Sequence, residues 1–172
     1  MNWKDPDYLL NGNEIQQAAY HELNDLGIFQ KLRAYDPILT GTIPIGIYLP
    51  ESDLDIICCG DPEMLKPRIE DLYGSQPEFR SHIKVLRDLT TLVAGFMGTQ
   101  FPIEIFIQNV PTRQQYAYLH MVKEYDILKN RGENFRAQIL DLKRQGIKTE
   151  PAFARLLGIE GDPYEGLLDF QV

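Results

Sequence analysis

The period of the hydrophobic positions changes along this chain, and each change marks an element. Ile15, Ala18, Ala19, Leu23, Leu26, Ile28 and Leu32 form a largely helical stripe, with Gly27 as a break. Asn13 suits the N-cap of that helix, and Gln16 completes a variant of the capping box. Pro37-Ile38-Leu39-Thr40 reads as a short strand ending at Gly41, and Leu54 to Cys59 as a buried strand closed by Gly60-Asp61-Pro62. A helix is expected from about Pro62 to Tyr73, stopped by Gly74. Three strand-like runs follow, at about Arg80–Arg87, Thr91–Phe96 and Ile103–Ile107, joined by links short enough for hairpins. Pro111-Thr112 then opens a long helix to about Asn130, capped by Gly132. Helical segments at about Glu133–Gln145 and Glu150–Leu157 precede a tail punctuated by Gly and Pro.

The link from Cys59 to Arg80 has room for a crossover helix. The pattern therefore predicts an α/β (α+β) fold: a mixed sheet flanked by helices, followed by a helical C-terminal part. The sheet core is expected over residues 1–110 and the helical part over 111–172, together forming a single domain.

Composition narrows the function classes. Hydrophobic residues at 44% and charged residues at 24% are ordinary for a soluble globular chain. No apolar run approaches the roughly 20 residues of a membrane span, and the polar start Met1-Asn2-Trp3-Lys4-Asp5 does not read as a signal peptide. Cys58 and Cys59 are adjacent on a strand and face opposite ways, so core packing in a reducing cytoplasm is their natural reading. The formal charge of −8, from 25 acids against 17 bases, disfavours a long RNA or DNA partner relative to a small molecule, a protein or a short end. A basic face could still assemble from Lys143, Arg144 and Lys148.

The candidate chemistry lies in Ser52-Asp53-Leu54-Asp55-Ile56-Ile57. Side chains alternate along a strand, so Asp53 and Asp55 project to one side, roughly 6–7 Å apart at Cα. Two carboxylates at the start of an apolar strand repel each other and lose hydration unless a cation neutralises them. A divalent metal with oxygen ligands, Mg²⁺ above all, is the usual solution, and it points to metal-assisted phosphoryl or nucleotidyl transfer. Glu104 is the only charge in Pro102-Ile103-Glu104-Ile105-Phe106-Ile107. If its strand pairs beside that of the aspartates, three carboxylates converge; on a half-exposed edge strand it would face solvent instead. Gly41 lets a phosphate approach the backbone, and Thr42 adds a hydroxyl at a turn that can aim N–H groups at an anion. On the long helix Tyr116, His120 and Glu124 share a face, suited to contacting a base or acceptor or simply to packing. Tyr116, Tyr118 and Tyr125 could stack on a nucleobase or pack in the core.

At these residues the chain resembles the nucleotidyltransferase superfamily, the group related to DNA polymerase beta. That signature is Gly-Ser or Gly-Gly, then about ten residues, then acid-hydrophobic-acid, with a third acid on a later strand. It falls here on Gly41-Thr42, Asp53-Leu54-Asp55 and Glu104. The stretch from Gly46 to Asp53 resembles the Gly-Leu-x-Leu-Pro-x-Ser-Asp of a branch of poly(A) polymerase relatives. The whole chain, including Lys148–Ala154 and Gly161–Tyr164, looks like a family of small, uncharacterised bacterial proteins in that superfamily.

The resemblance implies roles. Asp53 and Asp55 would hold Mg²⁺, or Mn²⁺ in its place, against an NTP. Glu104 would complete a second metal position on the acceptor side. Gly41 and Thr42 would hold the triphosphate, with Ser52 a nucleotide contact or a turn residue. The pattern departs from the family at two points: Thr42 replaces Ser, and Ile43-Pro44-Ile45 lacks the basic side chains that follow this element in many small relatives. Lys84, Arg87, Arg113 and Lys123 are the candidate substitutes. Two functions follow: transfer of a nucleoside monophosphate from an NTP to a hydroxyl of a small molecule or protein, or an inactive, antitoxin-like regulatory module that binds nucleotide or metal.

Overall fold

The computed structural model describes residues 1–172. Its five strands are β1 (Ile38–Thr40), β2 (Leu54–Cys59), β3 (Arg80–Leu86), β4 (Leu89–Met97) and β5 (Pro102–Gln108), and they form one sheet in the order β1-β2-β5-β4-β3. β2 and β5 run parallel, and every other neighbouring pair is antiparallel. The helices are α1 (Glu14–Asp25), α2 (Ile28–Lys31), α3 (Pro62–Tyr73), α4 (Tyr116–Arg144), α5 (Thr149–Leu157) and α6 (Pro163–Asp169). The expected mixed sheet with flanking helices and a helical C-terminal part is the observed architecture.

Local chemistry accounts for the boundaries. Asn13 Oδ1 accepts from the Gln16 amide while Gln16 Oε1 accepts from the Asn13 amide, both at 3.1 Å, so two orphan donors of α1 are satisfied reciprocally. Asp61 caps α3 by accepting from the amides of Glu63 and Met64. Arg87 and Asp88 turn the β3–β4 hairpin at φ 48° and 61°, the left-handed pair a tight hairpin requires. Gly132, at φ 77° and ψ −172°, breaks α4 where the cap was expected. The start of α4 falls later than expected, because Thr112–Gln114 first takes a 3₁₀ turn. The tail holds one more helix than its punctuation suggested. Asp162 caps α6, with Pro163 in its first turn, and seven residues are too few for a helical period to stand out.

Alternation along the strands divides the core in two. Leu54, Ile56 and Cys58 of β2, Ile103, Ile105 and Ile107 of β5, and Leu92, Ala94 and Phe96 of β4 join Leu23, Ile69 and Tyr73 from α1 and α3. Ile57 and Phe106 face the other way, where Ile38, Ile45 and Ile47 meet Met121, Ile127 and Leu128 of α4. Phe135, Ile139, Phe153 and Leu167 extend this second core into the remaining helices. Each such side chain contributes about 1.5–3 kcal/mol on full burial, so the helical part is welded to the sheet by apolar contact. Asp55, lying between Leu54 and Ile56, therefore faces α4. The parallel β2–β5 register then decides what stands beside it.

Candidate active site

Asp53 lies immediately before β2, and Asp55 is directly opposite Glu104 in the β2–β5 register. Carboxylate oxygens of Asp53, Asp55 and Glu104 all lie within 4.8 Å of one another. β5 is flanked by β2 and β4, so Glu104 sits on an interior strand and not on the sheet edge. Its side chain is 27% exposed, and Arg80 Nη2, from β3, donates to its Oε1 at 3.1 Å. The partner reaches across one strand: Gly95 stands opposite both Arg80 and Glu104 in the β3–β4 and β4–β5 registers.

The cluster is electrostatically unbalanced. Burial, with the neighbouring charges of Asp53 and Glu104, pushes the Asp55 carboxyl up to about 8. Asp53 is raised mainly by burial and further by Glu104, against a local backbone hydrogen bond and the positive charge of Lys143. Three oxygen donors converge at one point, and burial raises the two aspartates above the usual carboxylate range, a set that matches a hard divalent cation. The residues present fit Mg²⁺ or Mn²⁺.

The glycine turn abuts these acids. Gly41 has φ 81°, and a Cβ there would stand 2.6 Å from Asp55 Oδ2, so both backbone and space exclude a side chain. Thr42 Oγ1 lies 3.4 Å from Ser52 Oγ, which also accepts from the Leu49 amide at 2.9 Å. Ser52 thus closes the turn that returns the chain to Asp53. In the stretch without bases, Ile43, Ile45 and Ile47 are all buried, Ile43 in the first core and the other two in the second. Gln16 Nε2 donates to the carbonyls of Ile43 and Pro44 at 2.9 and 3.2 Å, and Arg136 Nη1 to those of Ile45 and Gly46 at 2.6 and 3.2 Å. Basic residues are missing here because the segment is core.

Gly41, Thr42 and Asp55 line a cleft of about 430 Å³ between the sheet and the helical part, with Phe106, Tyr116 and His120 on its walls. Of the substitute bases expected from the sequence, Lys123 donates to the Phe170 carbonyl and Arg87 pairs with Glu165 at 2.6 Å while stacking over Tyr116. Lys84 and Arg113 make no ion pair with the three acids. The cation that reaches the site electrostatically is Lys143, near the end of α4, whose charge acts on Asp53, Glu51, Glu124 and Glu150. Burial lowers its pKa and those carboxylates oppose the shift. Sequence reading placed Lys143 only in a basic face with Arg144 and Lys148 and did not single out Arg80. Both depend on strand register and helix packing, which no local pattern encodes. Tyr125 packs edge-on to Trp3 at 5.1 Å and lies, partly buried, against the second core.

The family model described as Domain of unknown function (DUF4269) matches residues 21–170. No curated protein sequence matches the chain. Among solved structures, Cid1, described with RNA terminal uridylyl transferase activity, superposes with a TM-score of 0.56 at 11% identity, covering 80% of this chain and 45% of that one. A cytoplasmic RNA terminal U-transferase gives 0.58 at 12% identity, covering 88% and 52%. The GLD-2/RNP-8 complex gives 0.57 at 12%, covering 89% and 63%. The chain thus has the nucleotidyltransferase-type fold and spans about half the length of the structures it resembles. No helix is long and apolar enough to cross a membrane.

Proposed function

The chain belongs to this family of unknown function, and we propose that it is a metal-dependent nucleotidyltransferase moving a nucleoside monophosphate from an NTP to a hydroxyl of a small molecule or protein. The observation that carries the reading is the convergence of Asp53, Asp55 and Glu104 within 4.8 Å, beside a glycine whose missing Cβ would meet the Asp55 carboxylate. Asp53 and Asp55 would hold Mg²⁺ or Mn²⁺, with Glu104 completing a second position. When bound, such ions stabilise the charge on the entering and leaving oxygens of an in-line displacement.

The chain's own groups divide the remaining work. The Gly41-Thr42 turn offers backbone N–H groups and one hydroxyl to the triphosphate, on a loop braced by Gln16 and Arg136. Lys143 supplies positive charge from the helical side of the cleft. Arg80 engages Glu104 Oε1, which leaves Oε2 to accept the proton of the attacking hydroxyl. The hydroxyl oxygen bonds to the α-phosphorus, the bridging α–β P–O bond breaks, and pyrophosphate leaves with that electron pair. A net charge of −8 favours a small or protein acceptor over a long nucleic acid.

Labelled NTPs with Mg²⁺ or Mn²⁺ and a panel of hydroxyl acceptors test this through pyrophosphate release. Turnover is expected in wild type and lost in Asp53→Asn/Asp55→Asn. Glu104→Gln should keep NTP binding and lose most turnover, because packing around Ile103 and Ile105 is unchanged while the proton acceptor is gone. Wild-type protein neither turning over nor stabilised by metal plus NTP overturns the reading. The Arg80–Glu104 pair favours a second reading, a module that binds nucleotide without turnover. It predicts NTP binding that Glu104→Gln leaves untouched, with no pyrophosphate from any acceptor.

A further inference from the structure

A second cluster of ligating side chains lies on the helical wall of the same cleft. His120 and Glu124 sit one turn apart on α4, and Glu150 enters from the first turn of α5. One ligand atom from each lies within 4.8 Å of the others. The setting is more enclosed than that of the aspartates: His120 is 6% exposed and Glu124 4%. Both imidazole nitrogens of His120 are buried without a hydrogen-bond partner, which an ordinary packed histidine does not tolerate. Neither Glu124 nor Glu150 forms an ion pair, and the nearby Lys143 ammonium donates to Thr149 Oγ1 at 3.1 Å. Burial holds the Glu124 carboxyl well above the usual range, with the Glu150 charge adding to the shift and Lys143 opposing it. Tyr116 and Tyr164 flank the imidazole, each with ring centroids 6.0 Å away, and give the cluster an aromatic shell.

We propose that His120, Glu124 and Glu150 form a second metal site, distinct from the aspartate cluster and selective for a borderline transition metal, Zn²⁺ first. A nitrogen donor beside two carboxylates suits Zn²⁺, whereas Mg²⁺ prefers the all-oxygen set at Asp53. Metal–ligand bonds of about 2.0–2.2 Å require ligand atoms roughly 3.3–3.6 Å apart in a tetrahedron, so side-chain adjustment of about 1 Å closes the cluster. All three residues line the cleft, so the three-ligand set leaves its remaining position open to an oxygen of the cleft's occupant. The ion would also tie α4 to α5 under the cleft.

The test uses the full chain carrying Asp53→Asn and Asp55→Asn, stripped of metal and titrated with Co²⁺ and then Zn²⁺. One equivalent of Co²⁺ should give a visible d–d band that Zn²⁺ abolishes and excess Mg²⁺ does not. Adding His120→Gln, or separately Glu150→Gln, should weaken Co²⁺ binding at least tenfold. Melting curves without metal verify that each variant folds; Glu150 is only half-buried and is the safer replacement. Nitrogen NMR on the Asp-substituted chain should shift the His120 ring with Zn²⁺ and leave His21 and His82 unmoved. No Co²⁺ band in that background overturns the site, as does a band that survives both replacements, or a shift at His21 or His82 alone. None of these readings uses pyrophosphate release, so the transferase proposal and this one fail separately.

Discussion

At Gly41 the backbone lies at φ 81° and a Cβ would meet Asp55 Oδ2 at 2.6 Å, so backbone strain and site geometry depend on one hydrogen. Gly41→Ala is expected to cost about 1–3 kcal/mol in stability through the strained φ, and to displace the Asp55 carboxylate as well. The chain should still fold by circular dichroism, while the thermal shift produced by Mg²⁺ plus NTP disappears. A retained shift would separate Gly41 from the site. Asp55 itself makes the metal-free protein pH-sensitive. Its carboxyl titrates near 3.8 ordinarily and at about 8 in the fold. Between those values the folded chain holds a proton that the unfolded chain has released, so stability falls as pH rises and the slope vanishes outside the window. In EDTA the melting temperature should drop from pH 5 to pH 8, with Asp55→Asn flattening the drop and Mg²⁺ offsetting it at pH 8. A wild-type slope unchanged in Asp55→Asn would assign it elsewhere.

Among the elements, those with strong local signals were legible in the sequence. The Asn13–Gln16 capping box and the Gly132 break lie where side-chain chemistry or a glycine alone demands them, whereas Asp61, read as the end of a strand, also caps α3. The Asp-x-Asp start of β2 was legible for the same reason, since period 2 fixes which residues share a face. What joins elements was not legible in any local pattern, and the resemblance alone had set Glu104 with the aspartates. Glu104 reaches Asp55 only through the parallel register of β2 on β5, and Arg80 reaches Glu104 only across β4. Glu150 joins His120 and Glu124 only because α5 packs on α4. Glu22 is the clearest structural case. It is buried in α1, yet its carboxylate accepts from the Thr99 and Gln100 amides at 2.5 and 3.0 Å, pinning the β4–β5 turn from 77 residues away. Glu22→Gln replaces one acceptor oxygen with a donor facing an amide N–H. The expected loss is about 1–3 kcal/mol, read as a lower urea midpoint with an unchanged m-value. A neutral result would mean that the turn holds itself.

For the whole molecule, the question is whether the sheet core 1–110 and the helical part 111–172 are one cooperative unit, as the sequence led us to expect. Ile38, Ile45, Ile47 and Ile57 of the sheet core are buried against Met121, Leu128, Phe135 and Phe153 of the helical part. Polar ties cross the same boundary: Thr112 Oγ1 donates to Asp36 Oδ2 at 2.6 Å, Gln115 Nε2 to the Cys58 carbonyl at 2.9 Å, and Arg136 to the loop after Thr42. Removing residues 111–172 would uncover the apolar side chains of Ile38, Ile57 and Phe106 on β1, β2 and β5, together with Ile45 and Ile47, a contiguous patch of the kind soluble monomers rarely expose. It would also leave the Gly41-Thr42 loop braced from one side only. The full chain should therefore unfold in urea as a single transition, with fluorescence of Trp3, which packs on Tyr125 of α4, coinciding with far-ultraviolet dichroism. The 1–110 fragment should show no cooperative transition alone and should regain one on co-expression with 111–172. Two separated transitions in the full chain, or a 1–110 fragment that melts cooperatively by itself, would make the helical part a separate domain and the cleft a domain interface.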